Sequence, residues 1–240
     1  MTDVIGGHPP DSSEHHPELA RHGGLTAAIR ATAAEHSLDL DRGLGAEPHA
    51  AGADREPTVA WFDSPRGRME VALRRAEPGF DIALSSDRGW FANWANGSTA
   101  DIAEAAGVLA AWQHGATLAE LSRRFPFMTS SRLSRGYDEG DQVAVMWDLQ
   151  LGDPAFAQYR ELLTALHAEP QLAPMFPFFS MWTLRLAKDS YREQPGELLV
   201  RRRDDGSYLL WSSSETEEDQ REFRRLDDLV AAAAALRTTL

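Results

Sequence analysis

Between residues 58 and 96, apolar and polar positions alternate with a period of two. "TVAWFDS" is a short run of β-formers. After "PRGR", "MEVALRR" sets Met69, Val71 and Leu73 against polar neighbours. After "AEPG", "FDIALSS" does the same with Phe80, Ile82 and Leu84, and "WFANWAN" reads as a fourth strand. Such alternation, broken by Gly- and Pro-bearing turns, predicts an antiparallel meander with one buried face.

The pattern then changes to a helical period. In "NGSTADIAEAAGVLAAWQHG", Ser98 or Thr99 can cap and Asp101 falls in the first turn, where the helix dipole favours it. Ile102, Ala105, Ala106, Leu109, Ala110 and Trp112 form an apolar stripe that Gly115 ends. "TLAELSRRF" predicts a short helix with a Thr117–Glu120 capping box, stopped by Pro126. "GDQVAVMWDLQL" and "DPAFAQYRELLTALHAEP" predict two more helices, the second capped by Asp153 with Pro154 at its first position. Earlier, Leu25 to about His36 is a helix whose first turns Gly23 and Gly24 would weaken, and "DRGLGAEPHAAGADREP" is a linker.

Strands return after residue 175. "APMFPFFSMW" leads into "TLRLAKD", and Asp205-Gly206 in "GELLVRRRDDGSYLLWSS" lies between apolar-alternating runs, a hairpin signal. "RRLDDLVAAAAALRTTL" closes the chain as a helix. The expected fold is therefore α+β: two antiparallel β-meander-plus-helix units joined by central helices, behind a disordered N-terminal tail. The expected divisions are a flexible tail over 1–24, a first unit over 25–128 and a second over 129–240, the two units packing as one compact domain.

Phe-Pro-Phe occurs twice, in "LSRRFPFMTSSRLSRG" and in "LAPMFPFFSMWTLRLAKD", each time after a helix-like run. The two copies hold different places in the two units, so they are not equivalent halves of a repeat. The expectation is a pair of proline-terminated helices whose flanking aromatics pack into a core. A ligand-binding aromatic pocket is the alternative.

Composition narrows the chemistry. The net charge of −13 disfavours nucleic acid and suits a basic partner. The absence of cysteine excludes disulfides, thiolate catalysis and Cys-ligated metal sites. The start "MTDVIGGHPP" lacks the features of a signal peptide, and the most apolar run, "DDLVAAAAALRTTL", is too short to span a bilayer. A cytoplasmic protein with no membrane association is expected. Lysine occurs once, at Lys188, among many arginines, a usage that suggests a GC-rich genome such as an actinobacterium's.

Motifs for common chemistries are missing. Phosphate-cradling loops, a G-x-S-x-G elbow, an S-x-x-K pair and a calcium loop are all absent, and no cofactor is expected. Among eight histidines, His8, His15, His16 and His22 crowd the N-terminus without tetrahedral spacing, and no metal is expected. His114 ends a helix, where a cation is favoured. "TSSRLSRG" reads as a polar turn, or as an anion receiver through Arg132 and Arg135. Glu215 to Asp219, followed by Arg221, Arg224 and Arg225, reads as a solvated helix or loop.

Seven tryptophans are many for this length, and most should be core. Trp90 and Trp94 share parity along a strand, and an exposed pair could grip a peptide or a small molecule. Trp90, Trp94, Phe127, Arg132, Phe178 and Trp182 are the binding candidates.

The order and spacing of several segments resemble a known family. These are the Gly-Ser-Thr helix start with its "AW" end, the "TL.EL...FPF" segment, a Trp-bearing helix, "EP.L...FPF" and an "LR" opening a strand. Together, from about Leu25 onward, they resemble the actinobacterial domain-of-unknown-function 6193 family, whose members are commonly labelled natural product biosynthesis proteins. Members often carry Ser-His-Gly after the second Phe-Pro-Phe, where this chain has Phe179, Ser180, Met181 and Trp182. The resemblance carries no catalytic residue over.

The resemblance implies an accessory or tailoring protein in natural-product biosynthesis, with ribosomal peptides as one product class, that binds a precursor peptide, an intermediate or a biosynthetic enzyme. A cofactor-free cyclase or dehydratase is the alternative, with Tyr137, Asp138, His167 and Arg185, near the Phe-Pro-Phe segments, as acid/base and orienting candidates. A noncatalytic, immunity-like binder of a basic toxin is the third reading.

Overall fold

The computed structural model describes residues 17–40, 58–74, 77–87, 93–190, 196–216 and 219–238. The chain divides into two compact units, one of residues 1–87 and 92–130 and one of residues 88–91 and 131–240. The fold is α+β, with two antiparallel sheets. Among the described residues, no helix is long and apolar enough to cross a membrane.

The first unit opens with α1 (Pro17–His22) and α2 (Leu25–Glu35). Helix α1 lies inside the segment expected to be a flexible tail; the burial of Leu19 anchors it. Gly23 (φ 77°) and Gly24 (φ 130°) then break the helix in a conformation that L-residues avoid. His8, His15 and His16 and the 41–57 linker lie outside the described residues.

Strands β1 (Val59–Ser64), β2 (Gly67–Leu73), β3 (Phe80–Ser85) and β4 (Asn93–Thr99) form a meander in that order. As the alternation predicts, Phe62, Met69, Val71, Phe80, Ile82 and Leu84 are buried on one face while Trp61 on the other is exposed. Strand β4 ends later than the sequence suggests. Its ladder runs to Phe80↔Thr99, so Ser98 and Thr99 are strand residues and not helix caps. Asp101 caps α3 (Ile102–Gln113) instead, its carboxylate accepting from Ala103 N–H at 2.7 Å. Helix α4 (Leu118–Arg124) has the expected Thr117–Glu120 capping box and stops before Pro126.

The second unit begins with α5 (Arg132–Glu139) and α6 (Gln142–Gly152). The polar "TSSRLSRG" is thus mostly helix. Ser131 accepts from Ser134 N–H at 2.9 Å, and Gly140, at φ 84°, ends the helix. Asp153 caps a 3₁₀ turn (Pro154–Tyr159), and the α-helix expected from there starts only with α7 (Arg160–Ala168).

Strands β5 (Phe176–Ser180), β6 (Thr183–Ala187), β7 (Leu198–Arg202), β8 (Tyr208–Ser212) and β9 (Arg221–Phe223) pair in sequence order, and α8 (Leu226–Arg237) closes the unit. One sheet face contributes Leu184, Leu186, Leu198, Val200 and Leu210 to a core shared with Trp147, Leu162, Leu163, Leu166 and Leu229. Strand β9 corrects the expectation of a solvated helix or loop there. Its three residues bond to the free edge of β8.

The two Phe-Pro-Phe segments have different structures. The first ends a helix, as expected, with Phe125 buried. The second is an edge strand, because the chain turns through Glu169–Met175 before it reaches Phe176. Proline suits this edge. Ser180 and Thr183 flank the two-residue turn as a hydrogen-bonded pair, so Phe178 and Phe176 also bond inward while position 177 faces outward, where no N–H is needed.

Candidate functional site

The β5–β6 hairpin closes through Met181 and Trp182 alone, at φ 47° and 63°. Two-residue hairpin turns with both φ positive fit the twist of the strands, and Asn-Gly is the usual occupant. A large side chain in the left-handed region is strained by about 1–2 kcal/mol. Here two such residues stand in solvent, Met181 at 92% and Trp182 at 61% exposure. Strain that persists at a solvent-exposed position points to use of the side chains themselves.

The base of the hairpin is braced. Phe179 stacks on Phe156 at 4.2 Å and packs against Tyr159 at 4.9 Å. The Tyr159 hydroxyl lies 3.5 Å from the Trp182 carbonyl oxygen. The turn is thus held by aromatic packing beneath it.

The sheet face opposite the core is polar and aromatic. The cross-strand row Phe178, Arg185, Leu199 and Trp211 lies on it. The Arg185 guanidinium sits 5.3 Å from the Phe178 ring centre and closes on Glu197 through Nε at 2.7 Å and a terminal nitrogen at 2.5 Å. Glu197 is only 1% exposed, so this carboxylate is buried with its partner. Arg201 donates from Nε to Thr183 Oγ1 at 3.1 Å and lies 5.5 Å from the Trp211 ring centre.

The candidate acid/base residues are engaged elsewhere. The Tyr137 hydroxyl donates to the Ser190 carbonyl oxygen at 2.5 Å. His167 on α7 stacks on Trp147 at 4.8 Å, and Asp138 is half-buried on α5. Tyr137 reaches the sheet through Phe176, which in turn meets Phe178 beside Arg185. The structure therefore links Tyr137, Phe178 and Arg185, whereas His167 makes its ring contact with a core tryptophan.

The binding candidates also separate. Trp94 is 5% exposed and cannot serve as an exposed gripping residue. It lies where the ladder shifts register, its indole N–H bonds to the Arg66 carbonyl oxygen at 2.9 Å, and it packs at 5.7 Å on Trp112. Trp90 lies outside the described residues. Phe127 is half-buried against Phe125, and Arg132 pairs with Asp148 at 2.6 Å instead of offering an empty anion site. Met181, Glu197, Arg201 and Trp211 were not singled out in the sequence. Among the described residues, no group of three or more His, Asp or Glu side chains is placed to hold a metal ion.

Residues 141–237, from the residue before α6 to the end of α8, match the model of a family of unknown function (DUF6193). Over this segment the chain is similar to DUF6193. The match is narrower than the resemblance suggests, since it leaves out the first unit and α5. The DUF6193 segment contains the hairpin turn, the Arg185–Glu197 pair and Arg201. No curated protein and no solved structure matches the chain.

Proposed function

We propose that the protein is a cytoplasmic accessory protein of natural-product biosynthesis that binds a peptide, an intermediate or a partner enzyme and does not itself catalyse a reaction. The biosynthetic setting comes from the family resemblance. The observation that carries the binding role is the Met181–Trp182 turn, which keeps two large apolar side chains in solvent in a backbone conformation that favours Asn-Gly. The engagement of Tyr137 with a backbone carbonyl and of Arg185 with Glu197 supports a noncatalytic reading.

Contact through side chains is favoured over strand addition. Pro177 interrupts the free edge of β5, and β9 at the other edge is three residues long. Deletion of the gene in its native host, followed by metabolite profiling, tests the setting. Loss of one product is expected, and an unchanged profile would remove the biosynthetic role.

A further inference from the structure

The β5–β6 turn is, among the described residues, the one place where two adjacent large apolar side chains are exposed. Its surroundings run against the acidity of the chain as a whole. Arg201, Arg202 and Arg203 end β7 and lead into the β7–β8 loop at the same end of the sheet, as the Leu184↔Val200 register requires. Arg201 bonds to Thr183, the residue after Trp182. Arg202 lies 3.5 Å from the Gln158 carbonyl oxygen, next to the Tyr159 that approaches Trp182.

Their carboxylate neighbours differ. Arg203 pairs with Glu222 at 3.2 Å. Asp205 turns back into its own loop, accepting from Ser207 N–H and O–H at 3.0 and 2.7 Å. Asp204 is exposed in the same loop and offsets part of the positive charge. Arg201 and Arg202 have no carboxylate within ion-pair distance among the described residues. Their engaged groups are Nε of Arg201 and one terminal nitrogen of Arg202, which leaves planar donors that suit a carboxylate.

We infer that this end of the second sheet docks a peptide segment in which an apolar or aromatic side chain is flanked by carboxylates. The apolar side chain packs on Met181 and Trp182, and the carboxylates meet Arg201 and Arg202. The turn is convex, so it suits an extended segment laid across it better than a small molecule that needs enclosure. The inference rests on the binding role proposed above and names the chemistry of what is bound.

The test uses the full-length protein and labelled synthetic peptides that carry Leu-Phe between Asp residues, with Lys-for-Asp and Ser-for-Leu-Phe controls. The acidic apolar peptide is expected to bind at low salt, and both controls to bind at least about tenfold more weakly. M181N/W182G places the preferred turn residues at the tip and should stay folded while binding falls by about tenfold or more. R201Q/R202Q should weaken binding and flatten its salt dependence.

Equal binding of the controls, or full binding by M181N/W182G, would overturn the inference. So would binding only to phosphatidylcholine vesicles containing phosphatidylglycerol, or a self-association that the turn variant abolishes. If none of the peptides binds but deletion of the gene still removes a product, the docking surface is wrong and the biosynthetic role stands.

Discussion

Arg185 on β6 closes on Glu197, the residue just before β7, with two nitrogens within 2.7 Å of one carboxylate oxygen. Ser213 Oγ accepts from the Glu197 N–H at 3.0 Å, so the backbone beside the buried charge is also tied down. An arginine that sequence reasoning offered as an orienting group for catalysis is thus a strut across the sheet.

That pair predicts an asymmetric mutational response. Glu197→Ala removes the buried carboxylate on which the mostly buried Arg185 guanidinium closes and should cost about 3–5 kcal/mol. Replacing both members by apolar residues, as in R185M/E197L, should cost much less. Urea unfolding of the three proteins checks this. A single-variant loss of only a few tenths of a kcal/mol would show that the pair is not the strut described.

In the first unit, the Arg66 guanidinium lies 3.7 Å from the Trp112 ring centre and 4.5 Å from that of Trp94, and one of its terminal nitrogens donates to the Ala116 carbonyl oxygen at 3.1 Å. Arg66→Ala should destabilise the protein by about 1–3 kcal/mol, and Arg66→Lys by less. Tryptophan fluorescence during unfolding reports the loss.

Pro177 guards an edge strand. Pro177→Val restores an outward N–H and a β-former, so the variant should self-associate more readily without a large loss of stability. Light scattering on gentle heating checks this. Equal scattering from both proteins would mean that the β5 edge is covered by other means.

The Asp205 carboxyl is held below its ordinary range, chiefly by the Ser207 hydroxyl and then by the Ser207 N–H. A depressed pKa in the folded state adds stability above the unfolded-state value, and that stability is lost as pH falls through the folded value. Asp205→Asn should therefore melt lower than the wild type by a constant margin above about pH 5, and the margin should shrink below about pH 4. Melting curves across that range decide it. A margin that grows as pH falls would contradict the sign.

Much of the fold was legible where local pattern and tertiary structure agree. The alternation at Met69, Val71, Phe80 and Ile82, the Thr117–Glu120 box and the Gly206 hairpin each carry their cause in the sequence. Gly206, at φ 84°, serves a three-residue loop over which Arg203 N–H bonds to Ser207 C=O. The missed features depend on distant partners. Asp101 caps because the ladder keeps Thr99 in the strand, and the second Phe-Pro-Phe is a strand because β6 lies beside it. The Met181–Trp182 turn was hidden for a different reason. Its residues contradict the turn they form, and local propensity fails where a backbone is held for its side chains.

The turn also predicts its own relief. In M181N/W182G the strain of the left-handed region is removed, partly offset by the greater freedom of glycine in the unfolded chain. A net gain of about 1 kcal/mol should raise the melting temperature by about 2–4 °C.

The most direct test of the binding account returns M181N/W182G to the deletion strain and measures product formation against wild-type complementation at matched protein level. The account predicts a stable, abundant protein and little product. Product restored to the wild-type amount would contradict it, because the exposed methionine and tryptophan would then be dispensable.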